Sequence, residues 1–152
     1  EAFRLCREVL VMAEGRRSAF GETKALFRSP GTVQAARLTG CRNIARAERG
    51  EENTLRVPAW RAVLAHGRPI PEGITHVGVR SRSFHPAKEG ERNRIPALSP
   101  TLLEDPRGSQ VIFSLGEGPE GRLWWEPEGG IAPGALPREL AVCPEDILLL
   151  TE

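Results

Sequence analysis

The chain has 152 residues, 39% of them hydrophobic and 27% charged, which excludes a disordered tail and allows one domain or two small ones. No apolar run approaches the roughly 18 residues of a membrane span, and Glu8 and Glu14 flank apolar Val9–Ala13, so that stretch is not a signal-peptide core either. The net charge of +1 hides a split: residues 1–94 carry 18 of the 21 basic and 10 of the 20 acidic side chains, a balance of +8, whereas residues 95–152 carry 3 basic and 10 acidic, a balance of −7.

Ala2–Glu14 reads as a helix, because Phe3, Cys6, Leu10 and Ala13 recur at three- and four-residue steps and Gly15 ends the run. Glu22–Phe27 reads as a short second helix, stopped by Ser29-Pro30-Gly31. Thr32 is an N-cap for a third helix through Leu38. Gly40 breaks it, and Arg42–Arg49 follows as a fourth. Pro58 suits the first turn of a fifth helix that runs to His66, with Gly67 after it.

Beyond Gly67 the pattern changes. Ile74–Arg80 alternates as a strand does, Arg80–Arg94 is a polar, basic surface loop, and Pro96–Pro106 is a Pro-rich connector. Gln110–Leu115 and Arg122–Glu126 form a hairpin across the glycine-rich turn Gly116–Gly121, with Val111, Phe113, Leu115, Leu123 and Trp125 on one buried face. Leu140–Cys143 and Asp146–Leu150 end the chain, and the strand near Val77 completes this module. The expected fold is therefore α+β, with a helical, helix-turn-helix-like region at 1–70. A basic loop and connector follow at 71–107, then an acidic antiparallel β module at 108–152, the three either separate or packed as one domain. The absent start Met suggests trimming or excision from a longer chain.

The basic side chains are nineteen Arg and two Lys. Guanidinium groups match phosphate oxygens in pairs and stack on bases, so DNA or RNA is the expected partner. On a helix, Arg42, Arg46 and Arg49 line one face with Arg37 a turn earlier, a spacing suited to a row of phosphates. Arg61 and the loop residues Arg80, Arg82, Arg92 and Arg94 add contacts. Alternatively these arginines form a solvated face neutralised by Glu48, Glu51 and Glu52, and the acidic half balances the basic one. With aromatics at only 5%, a platform of several stacked bases is not expected.

Cys6, Cys41 and Cys143 make an odd number without close spacing, neither a disulfide framework nor a zinc site, which points to a reducing, intracellular compartment, cytoplasmic or nuclear. His66, His76 and His85 suit no metal motif. A pair such as Cys41 with His76 has the types of a nucleophile and base, but structural roles suit them as well. No catalytic residue, metal or cofactor is expected. The loop Gly116–Gly121 carries two Glu and no Lys, a hairpin turn and not a phosphate cradle. In Trp124-Trp125 one ring faces the core, and the other covers the sheet edge or meets a partner.

Two resemblances bear on function. Thr32–Gly50 is similar in flavour to bacterial repressor helix-turn-helices, which end in a Glu-Arg-Gly like Glu48-Arg49-Gly50. Gly15-Arg16-Arg17-Ser18-Ala19-Phe20-Gly21 resembles the Gly-x-x-x-Thr-Tyr-Gly segment of the alkylguanine-DNA alkyltransferase and alkyltransferase-like family. Pro58-Ala59-Trp60-Arg61-Ala62-Val63 resembles that family's Pro-Cys-His-Arg-Val-Val block. The resemblance, confined to residues 15–69, implies a helix-turn-helix in the minor groove and a pocket for a flipped base walled by Arg61 and the helix around Trp60. Ala59 stands at the nucleophilic Cys and Trp60 at the general-base His, so it also implies binding without alkyl transfer. The expected function is a non-enzymatic nucleic-acid-binding protein with an arginine-rich helical face. The alternative is a regulatory adaptor that docks a protein through its acidic β module.

Overall fold

A computed structural model describes residues 1–152, the side chain of Pro133 excepted. It corrects the expected α+β division: the chain is mainly antiparallel β, and there is no helical region or helix-turn-helix at 1–70 among the described residues. In chain order the elements are α1 (Ala2–Leu5), β1 (Glu8–Ala13), β2 (Arg16–Glu22), α2 (Thr23–Arg28), α3 (Val33–Leu38), β3 (Asn43–Arg46), β4 (Glu48–Arg49), β5 (Thr54–Val57), β6 (Ala62–Ala65) and β7 (His76–Val79). Then come β8 (Phe84–Pro86), β9 (Arg94–Pro96), β10 (Thr101–Asp105), β11 (Gly108–Ser114), β12 (Arg122–Trp125), β13 (Glu139–Val142) and β14 (Leu148–Leu150).

Three of the five expected helices are wholly or largely strands. Val9–Ala13 belongs to a hairpin because Glu14 and Gly15 both take positive φ, 49° and 74°, the two-residue turn whose twist matches paired strands. Ala13 pairs with Arg16 across it, and a bulge follows at Val11/Met12. Asn43–Arg46 is a strand because Asn43, Ile44 and Ala45 are all buried, which demands cover on both faces, and β7 pairs along it. At the fifth position Pro58–Trp60 makes one 3-10 turn that Arg61 ends at φ 52°, and Ala62–Ala65 then alternates as β6. The second and third expected helices form as α2 and α3, six residues each, and of the first only the four residues of α1 are helical; the Thr32 hydroxyl accepts from Ala35 N–H at 3.1 Å and caps α3.

The strands make four three-stranded antiparallel sheets, ordered β4-β5-β6, β3-β7-β14, β8-β13-β9 and β10-β11-β12, besides the β1-β2 hairpin. The expected loop 80–94 thus contains β8, and the connector 96–106 contains β10. Register in the last sheet sets Val111 opposite Trp125 and Phe113 opposite Leu123, all buried. One core runs from Ala45 to Ile147 and takes side chains from all four sheets, with Trp60, Phe113, Leu55, Leu64, Ile95 and Leu140 fully enclosed.

Residues 1–38 stand on this body with a small core of Val11, Leu26 and Ala35, and α3 also packs Val33 and Ala36 against Cys41, Ile44 and Leu150 of the body. Arg80 latches the two together: its guanidinium donates to the carbonyl oxygens of Thr39, at 2.7 Å, and Phe27, and to Thr39 Oγ1. Replacing Arg80 by Ala leaves two half-buried carbonyls unpaired and is expected to cost about 2 kcal/mol. Hydrogen exchange checks this: residues 1–38 should lose protection first while the strands of the main core keep theirs.

Candidate functional site

The nine candidate arginines do not share one cleft: Arg46 and Arg49 line one, and Arg42 and Arg82 line another. Arg37 lies exposed in the last turn of α3. Arg42 and Arg46 share a strand face two pleats apart, about 13 Å by strand rise. Arg46 reaches Glu152 at 3.9 Å, and Arg49 is exposed on β4. Arg61 is exposed at its left-handed turn, and Arg92 is exposed in a loop. Arg80 is committed to the latch above. Arg94 pairs with Glu139 at 3.4 Å and also donates to Lys88 O. Arg82 grips Glu126 with two donors at 3.2 Å each, which holds the Glu126 carboxyl below its ordinary range. The acidic half therefore folds around the basic half: Glu120, Glu126 and Glu139 all sit against arginines or backbone of the first 94 residues. The helical stripe of Arg42, Arg46 and Arg49 is corrected with the helix that was to carry it. The resemblance pocket has no helix around Trp60 either; that ring is fully buried and donates Nε1–H to Glu120 O at 3.1 Å.

Two arrangements stand out instead. The first is the outward face of the hairpin. Leu10 lies opposite Phe20, each more than half exposed, and Met12 lies opposite Arg17, while Glu8 faces Glu22 at the open end. The strip thus runs from two carboxylates through an apolar centre to a guanidinium at the turn. Phe3 and Leu5 of α1 and Leu38 of α3 are also exposed, so six of the nine exposed large hydrophobics fall within residues 1–38. No sequence motif marked this; the alternation of Leu10 with Val9 and Val11 was the available signal.

The second is a cleft of about 460 Å³ between the Gly40–Arg42 segment, Arg82, the β10–β11 turn and β12. The Asn43 side chain is fully buried and clamps the Trp124 backbone, accepting from its N–H at 2.7 Å and donating to its C=O at 2.8 Å. The neighbouring Arg42 lays its guanidinium over the Trp124 ring, 4.6 Å from its centroid, and donates to Gln110 at 3.4 Å. Of the tryptophan pair, Trp125 is the core residue and donates to Phe84 O, while Trp124 is half-buried in this cleft.

The thiols show no catalytic arrangement. Burial pushes the Cys41 thiol up, against the pull of Arg80, and its Sγ lies 3.6 Å from Asn43 O; no hydrogen bond joins it to His76, whose Nδ1 is 2.8 Å from Thr75 Oγ1. Burial and then Glu145 raise Cys143. Thiol titration should therefore modify exposed Cys6 first and Cys41 only on unfolding; early labelling of Cys41 would contradict its burial. His85 contacts Glu91 at 2.6 Å, and the Lys88 N–H and then His85 hold that carboxyl low. Among the described residues no three His, Cys, Asp or Glu side chains are placed to hold a metal ion, and no helix is long and apolar enough to cross a membrane.

No protein-family model matches the chain, and a search of curated proteins finds no match.

Proposed function

We propose that the chain is a protein-interaction module that docks through its N-terminal unit. The observation that carries this reading is the concentration of exposed apolar side chains on that unit: Leu10, Met12 and Phe20 on one hairpin face, with Phe3, Leu5 and Leu38 exposed elsewhere within residues 1–38. Such clustering marks a contact surface, since scattered exposed hydrophobics are ordinary and grouped ones are not. The opposed pair Glu8 and Glu22 adds to it, because like charges directly across two strands repel unless a cation sits between them.

The partner's chemistry follows from the strip. It is a protein surface with an apolar centre, a basic group toward Glu8 and Glu22, and an acidic group toward Arg17. Because α3 packs on the inner face of the hairpin, Leu38 lies away from Leu10 and Phe20. A partner that covers all the apolar side chains must enclose the unit from more than one side. The working surface is thus the N-terminal hairpin, and the acidic strands serve to neutralise arginines within the molecule.

The test is a photo-crosslinking residue at Leu10 in the producing cell. One predominant adduct with another protein is expected, lost in Phe20→Glu and restored in part by no change outside the strip, with near-ultraviolet dichroism of the main core unaltered. An adduct indifferent to Phe20→Glu, or one formed only with a second copy, overturns the reading.

A further inference from the structure

The cleft at Trp124 is built more tightly than a surface depression requires. Asn43 fixes the Trp124 backbone and the adjacent Arg42 lies over its ring, so consecutive residues of β3 and its approach hold Trp124 at both main chain and side chain. The result is a layered plane of indole and guanidinium, with the Gln110 amide at its edge. Bases stack on both kinds of plane, and an amide pairs with a base edge. Arg107 lies at the other side of the cleft and, among the described residues, has no carboxylate within ion-pair distance.

The acidic side chains of the cleft are already engaged. Asp105 Oδ1 accepts the backbone N–H groups of Arg107 and Gly108 at 2.7 and 3.1 Å, and Glu126 is held by Arg82 and Ser81. Arg82 and Arg107 also line an adjoining hollow of about 630 Å³, together with Gly108, Gly129 and Gly130 and the carboxylates of Glu126, which Arg82 holds, and Glu128. Gly108 has φ 141° and the other two glycines 74° and 76°, conformations that side-chain-bearing residues rarely adopt, so the backbone there stays bare and approachable.

From this geometry we infer a binding site for a nucleoside phosphate, the base stacked on the Arg42–Trp124 layer and the phosphate between Arg107 and the glycine wall. A free mononucleotide and a nucleotide within a single strand share this chemistry. The site lies away from the hairpin and does not depend on the docking function.

Tryptophan emission reads the site directly, because Trp60 and Trp125 are enclosed and Trp124 is not. The probes are adenosine monophosphate, adenosine, inorganic phosphate and a single-stranded oligonucleotide. Saturable quenching by the monophosphate is expected, weakened about tenfold in Arg107→Ala and for adenosine, in keeping with loss of one charge-assisted contact. It should vanish in Trp124→Leu and persist in Arg122→Ala, an exposed change on the same strand. Quenching by the oligonucleotide but not the monophosphate assigns the site to single strands. Nucleotide binding that survives Trp124→Leu, followed by calorimetry, overturns the inference. So does quenching by inorganic phosphate as strong as by the monophosphate, and so does the absence of saturation by every probe.

Discussion

Replacing Trp60 by Ala is expected to remove about 3–5 kcal/mol of stability, a large part of the roughly 5–15 kcal/mol that holds a domain of this size. The ring is fully enclosed, packs edge-on against Phe84 with centroids 6.4 Å apart, and lies where β5 hands the chain to β6. Truncation leaves a cavity that the surrounding strands cannot close. It also strands the Glu120 carbonyl, which accepts the indole N–H. Trp60→Phe keeps most of the volume and loses the hydrogen bond, so its cost should be about 1–3 kcal/mol. Urea unfolding by far-ultraviolet dichroism gives both values. If Trp60→Ala unfolded at the parent's midpoint, the enclosure of this ring would be disproved.

Asn43→Ala should be nearly as damaging, at about 2–4 kcal/mol, through a different mechanism. Methylene loss is small here. The cost comes from two backbone groups of Trp124 that lose their partners, each left unsatisfied at about 1–3 kcal/mol where water enters poorly. Asn43→Asp discriminates: it retains the acceptor for the Trp124 N–H but sets an anion against its C=O. It should therefore be no better than Ala at neutral pH and should recover as the carboxyl is protonated in acid. A flat response of Asn43→Asp to pH would show that the amide does not hold Trp124 as described.

The β11–β12 hairpin was readable because Val111, Phe113 and Leu115 alternate before a glycine-rich turn and Leu123 and Trp125 alternate after it. Those residues dictate both period and register. The cap at Thr32 was readable for an equally local reason. Ala2–Glu14 was not, because Phe3, Cys6, Leu10 and Ala13 satisfy a helical stripe while Val9, Val11 and Ala13 satisfy an alternating one. Only the turn Glu14-Gly15 decides between them, and a Glu at positive φ is a weak marker. Asn43–Arg46 was unreadable from its own residues; its state is set by β7, thirty-odd residues on, whose Val77 and Gly78 pair with Ala45 and Ile44. The placement of the arginines was not legible because charge along a sequence does not give charge in space. The acidic segment that looked separate returns through Glu120, Glu126 and Glu139 to the basic one. The Trp124 site has no spacing signature at all, since Asn43 and Trp124 lie 81 residues apart.

The attachment of the last strand has a consequence for biogenesis. Val33 N–H bonds to Thr151 O and Thr151 N–H to Gly31 O, contacts that close about 120 residues of chain, and β14 supplies one flank of β7. During synthesis, β7 has one edge bare until residue 150 has cleared the ribosome, and the Val33 N–H at the start of α3 waits for the Thr151 carbonyl. Early hairpins such as β5–β6 can close as they emerge, but the long-range closures come last and carry the largest entropic barrier. A nascent chain arrested near residue 140 should thus be protease-sensitive, and should become resistant within a few codons of residue 151 plus the length of the exit tunnel.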